Sequence, residues 1–128
     1  MPYLTRRVLL FSFTLSAALA SCRHLRSTQP APEPAKTFVH VTNGEFLDAV
    51  VYVVDRGQNV RLGVASSNRT TTFEIPPHLV FAPRPLSFLI HPIGATSRPS
   101  TGDVVIEPGD DIELRLSGGR VVVTKRPW

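Results

Sequence analysis

The chain has 128 residues, 42% hydrophobic and only 8% aromatic, a length that suits one domain rather than two. Its formal charge is +4, yet the surplus lies ahead of residue 37: from Thr37 onward nine Lys or Arg stand against nine Asp or Glu. A neutral domain has no net basic face for phosphates to meet, so no nucleic-acid partner is expected.

Residues 1–20 carry Arg6 and Arg7 and then run without charge from Val8 to Ala20. A basic head followed by a short apolar stretch has the order of a secretory signal, and the stretch falls short of the roughly 20 apolar residues that a bilayer span needs. At its end come Leu19-Ala20-Ser21-Cys22, and Cys22 is the only cysteine in the chain. These four residues resemble the lipobox of bacterial lipoproteins, a branched residue and two small ones ahead of a cysteine. The resemblance implies that residues 1–21 are a signal peptide cut before Cys22. It also implies that the thiol of Cys22 and the new amino terminus carry palmitate-like acyl chains. One such chain binds a membrane marginally, whereas two or more hold firmly. Arg23 stands where inner-membrane members of that family often have Asp, which implies an outer-membrane anchor with the domain facing the periplasm. Cysteine usage agrees, because exported proteins usually pair their cysteines and an unpaired one is a liability. The alternative is an ordinary signal ending near Ala18-Leu19-Ala20 that leaves an incidental thiol. Thr5-Arg6-Arg7-Val8-Leu9-Leu10 also resembles a twin-arginine export signal, so two export routes stay open.

Residues 22–36 then form the lipidated cysteine and a spacer. Pro30, Pro32 and Pro34 alternate, which favours a semi-rigid polyproline II segment; at about 3.1 Å per residue it reaches up to roughly 40 Å. Arg23 and Arg26 would suit anionic head groups, with solvated linker charge as the plainer account. From Thr37 the pattern changes to short apolar runs divided by turn residues. Thr37–Thr42 reads as a strand that ends at the turn pair Asn43-Gly44. Asp48–Asp55 is apolar between its ends and predicts a central strand covered on both faces. Asn59–Ala65 places Val60, Leu62 and Val64 on one side, with Arg61, Gly63 and Ala65 on the other. Arg69–Pro76 turns Thr71, Phe73 and Ile75 one way, and Leu86–Pro92 does the same with Leu86, Phe88 and Ile90. Asp103–Arg126 predicts three strands joined by two hairpin turns. One has Pro108-Gly109 at its centre and the other is Ser117-Gly118-Gly119-Arg120. Between them Ile112, Leu114 and Leu116 point inward while Asp111, Glu113 and Arg115 face water. No window from Thr37 on has a helical period. The expected fold is all-β, a small antiparallel β-sandwich of about seven to eight strands over 37–128, large enough for one core without disulfides.

Asp48–Val53 followed by Arg69–Ile75 resembles the small transthyretin-like sandwiches that accompany carboxypeptidases and outer-membrane transporters. Where those carry a Thr-Asp-x-x-Gly turn, this chain has Ser67-Asn68-Arg69-Thr70. The resemblance implies a sandwich and says nothing about activity.

Chemistry-bearing residues are few. Glu107, Asp110 and Asp111, with Glu113 beyond them, form the best candidate for a hard cation such as calcium, which wants several carboxylate oxygens converging. Ordinary strand and turn positions account for the same acids. His40, His78 and His91 lack the spacing of a zinc motif. No serine sits in a nucleophile elbow, and no phosphate loop or dinucleotide fingerprint is present. Neither an enzyme nor a cofactor is expected. Two apolar features suit a protein partner: Leu79, Val80 and Phe81 within a proline-framed connection, and Trp128, the only tryptophan. The plainer account of the first is a crossover packed over the open end of the sandwich, and of the second a cover for the domain's edge. A lipid-anchored structural or protein-interaction module with an envelope partner is therefore expected, against a periplasmic protein that binds a small ligand or a metal.

Overall fold

A strand with one apolar face must lay that face against a second layer, and alternating runs do so as two stacked sheets or as one sheet closed on itself. The computed structural model, which describes residues 33–126, has eight strands. These are β1 (Phe38–Asn43), β2 (Ala49–Asp55), β3 (Gln58–Ala65), β4 (Arg69–Glu74), β5 (Arg84–Pro92), β6 (Val104–Ile106), β7 (Asp111–Ser117) and β8 (Arg120–Lys125). They form one sheet in the order β4-β1-β7-β8 and a second in the order β3-β2-β5-β6. The chain is thus a small β-sandwich, as the alternation predicts. Residues 1–32 and 127–128, which include Leu19, Ala20, Ser21, Cys22 and Trp128, lie outside the described residues.

The core is the inward face of both sheets. Val39 and Val41 of β1 and Ile112, Leu114 and Leu116 of β7 meet Ala49, Val51 and Val53 of β2 and Leu86, Phe88 and Ile90 of β5, all without accessible surface. Among the described residues the core cluster runs from Val39 to Leu116. The outward rows of β4 and β7 are polar, as expected, with Thr70, Thr72 and Glu74 exposed and Arg115 in water.

Four expectations need correction. Strand β1 is antiparallel to β4 but parallel to β7, so the sandwich is not purely antiparallel. Asn43-Gly44 ends β1 as expected, and leads not into a hairpin but into the other sheet, to which β2 belongs. Pro108-Gly109 does make a tight turn, with Gly109 at φ 88° and the Asp110 N–H donating to Glu107 O at 3.1 Å. That turn carries the chain from β6 in one sheet to β7 in the other, so it too is not a hairpin. Strand β2 is buried on one face only; Val50, Tyr52 and Val54 are half-buried.

The fourth correction concerns β3. Its register against β2 shifts by one residue, so that Val51 faces Gly63 while Tyr52 faces Arg61. Leu62 is the extra residue of a β-bulge, and the alternation changes phase there. Val60, Gly63 and Ala65 therefore share the inner side, Leu62 still packs in part against the core from the bulge, and Val64 leaves it. Gly63 also has a steric role: a Cβ placed on it would lie 2.5 Å from Cε1 of Phe73. The Phe73 ring of β4 fills the space that the missing side chain leaves and so packs the edge of one sheet against the edge of the other.

Replacing Gly63 by Ala should destabilise the domain by about 1–3 kcal/mol in urea unfolding, the usual cost of overpacking. In a Phe73→Ala background the same change should cost well under half as much, because the ring it displaces is gone.

Candidate functional site

The strands run end to end, so the molecule has two loop-bearing ends with different chemistry. Thr37, the residue before β1, lies at one of them beside the start of β7, the end of β8 and the beginning of β5. This is the end at which the linker joins. Loops 44–48, 66–68, 93–99 and 118–119 gather at the other.

The acidic turn sits at the linker end; Glu107 takes part in it through its backbone and is exposed, whereas Asp110, Asp111 and Glu113 each have a charged neighbour. Asp110 is only 5% exposed. Its Oδ2 accepts the Glu107 N–H at 2.8 Å and lies 2.7 Å from Lys125 Nζ. The hydroxyl of Thr37, also buried, accepts the Gly109 N–H at 2.9 Å. The turn is therefore tied to both β1 and β8. Asp111 pairs with Arg126 at 3.4 Å through Oδ2, while its Oδ1 faces His40 Nε2 in a close approach that is not aligned as a hydrogen bond. Arg126 Nε also lies 3.7 Å from Glu113. Among the described residues no three His, Cys, Asp or Glu side chains converge as a metal site would need. Asp110 is a turn-closing carboxylate, while Asp111 and Glu113 of β7 share Arg126.

His40 joins three strands across the outer face of that sheet. Its Nδ1 is 2.8 Å from Thr72 Oγ1 on β4, and its Nε2 faces Asp111 on β7. Hydroxyl, imidazole and carboxylate in a row are the parts of a nucleophilic site. Here they stand side by side on a sheet surface, Thr72 being exposed on an edge strand, and act as a cross-strand tie. The sequence alone had no means of joining His40 to Thr72, because the pairing that brings them together spans 32 residues. His78 and His91 lie on the 3-10 turn Pro77–Leu79 and on β5, away from His40.

The proline-framed connection 75–83 separates its three apolar residues. Leu79 and Val80 are buried and cap the core at the linker end, so they are not available as a surface. Phe81 is 75% exposed, and the guanidinium of Arg84 stands 5.7 Å above its ring. Arg84 in turn pairs with Asp55 at 3.1 Å, both side chains being largely covered. Beside Phe81, Pro77, His78 and Val80 line a shallow groove with Pro34 and Ala35 from the linker and Pro108 from the acidic turn.

The far end is ordered by Asn43, which is buried at the end of β1. Its Nδ2 donates to Leu47 O at 2.9 Å and to Ala65 O at 3.1 Å, and its Oδ1 accepts the Glu45 N–H at 3.0 Å. Gly44 approaches β7 so closely that its N–H donates to Leu116 O at 2.8 Å. With the loop pinned in this way, Phe46 is left 90% exposed and Leu47 46%, while Ile93 of the neighbouring loop is 51% exposed. Beneath them opens a cavity of about 260 Å³ lined by Glu45, Leu47, Pro92, Ala95 and Leu116 among others.

No family model matches the chain, and no curated protein matches it. Among solved structures it is similar to the NMR structure of a protein from Eubacterium rectale, with 8% identity and a TM-score of 0.47. That similarity covers 69% of this chain and 87% of that one.

Asp110→Ala should lower stability by about 2 kcal/mol, because it strips a buried charged acceptor from the turn. Lys125→Ala should cost under about 1 kcal/mol, since the lysine is half in water and the turn N–H still has its carboxylate. Urea unfolding of the two variants reads the difference. Titration of the domain with calcium or with zinc should release no heat and leave its melting temperature unchanged.

Proposed function

We propose that the protein is a lipid-anchored component of a bacterial cell envelope whose β-sandwich is a structural or protein-interaction module. One observation carries this reading: the only cysteine of the chain closes Leu19-Ala20-Ser21-Cys22, directly behind a basic head and a short apolar run. Acylation of Cys22 would hold the domain on the membrane, and Arg23 in the next position favours the outer membrane with the domain in the periplasm. The proline-rich stretch up to Lys36 would space it from the surface.

An interaction role rather than an enzymatic one is supported by the chemistry at hand. Asp110, Asp111 and Glu113 are engaged in turn closure and ion pairs. The hydroxyl–imidazole–carboxylate row lies on a sheet surface. Apolar side chains in water, by contrast, are found at both ends of the sandwich, in Phe46 and Ile93 at one and Phe81 at the other. Exposed aromatic and branched residues at loop positions are common elements of binding surfaces.

Metabolic labelling with a fatty-acid analogue, followed by membrane fractionation, tests the anchor. The wild type should carry label and fractionate with the membrane, and Cys22→Ala should lose both. A wild type that is unlabelled and soluble would contradict the proposal.

A further inference from the structure

We propose that the end of the sandwich remote from the linker docks on an anionic lipid bilayer, with Phe46 and Ile93 entering the interface and Arg69, Arg98 and Arg120 resting on the head groups. The charge distribution is the first argument. Among the described residues, the ion pairs cluster toward the linker end and on the open sheet face: Lys36 with Glu74, Arg84 with Asp55, Lys125 with Asp110, Arg126 with Asp111 and Glu113, and Arg115 with Glu113. None involves the far end. The register places Arg69 opposite Asn43 and Arg120 opposite Ser117, and Arg98 lies in the loop that follows β5. All three are exposed.

Two acids share that end, and neither pairs with an arginine: Glu45 Oε1 accepts the Gly119 N–H at 3.0 Å, and Asp48 Oδ1 accepts the Ser67 N–H at 2.8 Å. Both carboxylates are held back against the loop backbone as braces, so that end keeps a positive surplus carried by three exposed arginines around an apolar tip. Basic residues near an anionic surface and apolar side chains that can enter the interface attract the same target by two independent terms.

Shape is the second argument. Phe46 and Ile93 project from two separate loops, and Phe46 is almost wholly in water. A protein partner would have to present a matching hollow for each, whereas a bilayer interface yields to any convex shape. The loops themselves are held firmly, by Asn43 and by the Ile93 N–H donating to Asp48 O at 2.7 Å, so insertion would not require them to reorder. Geometry permits the contact even for a domain tethered by its other end. The seven residues of β2 span about 23 Å at 3.3 Å per residue, less than the roughly 40 Å that the linker can reach. That last point rests on the anchor reading; the docking does not.

Flotation of residues 33–128, which contain the whole described core but not Cys22, tests this separately from lipidation. At low salt the domain should float with phosphatidylcholine vesicles containing about 30% phosphatidylglycerol. It should stay behind with phosphatidylcholine alone and be released by high salt. Each of Arg69→Gln, Arg98→Gln and Arg120→Gln should weaken partitioning about fivefold. Phe46→Ser with Ile93→Ser should abolish it, while Phe81→Ser at the other end should leave it unchanged. Circular dichroism melts confirm that every variant is folded. No flotation on anionic vesicles, or flotation that survives the Phe46 and Ile93 changes, overturns the proposal. So does a domain that stays in solution and sediments at twice its mass, which would assign the tip to a second copy of the chain.

Discussion

Strand β1 is the member on which the rest of the sandwich depends. It lies between β4 and β7, pairing antiparallel with one and parallel with the other, and its Val39 and Val41 are wholly buried. Buried polar side chains fix both of its ends. Thr37 closes the Pro108-Gly109 turn, and Asn43 satisfies two carbonyls and an N–H of the loops beyond. A buried amide left without partners would cost more than the hydrogen bonds themselves contribute, so these contacts fix the loop paths instead of merely decorating them. The two chemically different ends of the molecule follow from that strand.

At the linker end, the β1 start draws together the acidic turn and the end of β8, and opposite charges pair there. At the far end Asn43 fixes residues 44–48 with the Phe46 side chain turned outward. A hydrophobic residue in water is ordinary by itself. Phe46, Leu47 and Ile93 together, above a cavity and beside unpaired arginines, form a surface suited to contact. In the proposed reading an anchor at Cys22 would give residence on a membrane and the far end would give orientation against it.

Much of this was legible in the sequence because β4, β5 and β7 follow a strict period of two. Thr71, Phe73 and Ile75, then Leu86, Phe88 and Ile90, then Ile112, Leu114 and Leu116 all face inward as their alternation predicts. The Gly118-Gly119 hairpin was equally plain, since both residues take positive φ, at 58° and 69°, where only glycine is comfortable. What the pattern could not give is which strand pairs with which. Asn43-Gly44 and Pro108-Gly109 both mark turns, but a turn does not say whether the chain stays in its sheet. The inserted Leu62 moved β3 out of phase, and the adjacent Gly63 was its only local trace. The far-end site was missed for a related reason. Phe46, Ile93 and three arginines are scattered from residue 46 to 120, and only the register brings them to one end. Leu79 and Val80 were readable as a crossover packed over the open end of the sandwich, and their burial agrees with it, while the exposure of Phe81 beside them was not readable.

Amide hydrogen exchange of the membrane-bound, full-length processed protein is the most direct test of a two-ended molecule. With anionic bilayers present, amides of residues 44–48 and 93–97 should gain protection while those of 77–83 stay as they are in detergent solution. Protection gained at 77–83, with 44–48 and 93–97 unchanged, would place the contact at the linker end and contradict the account.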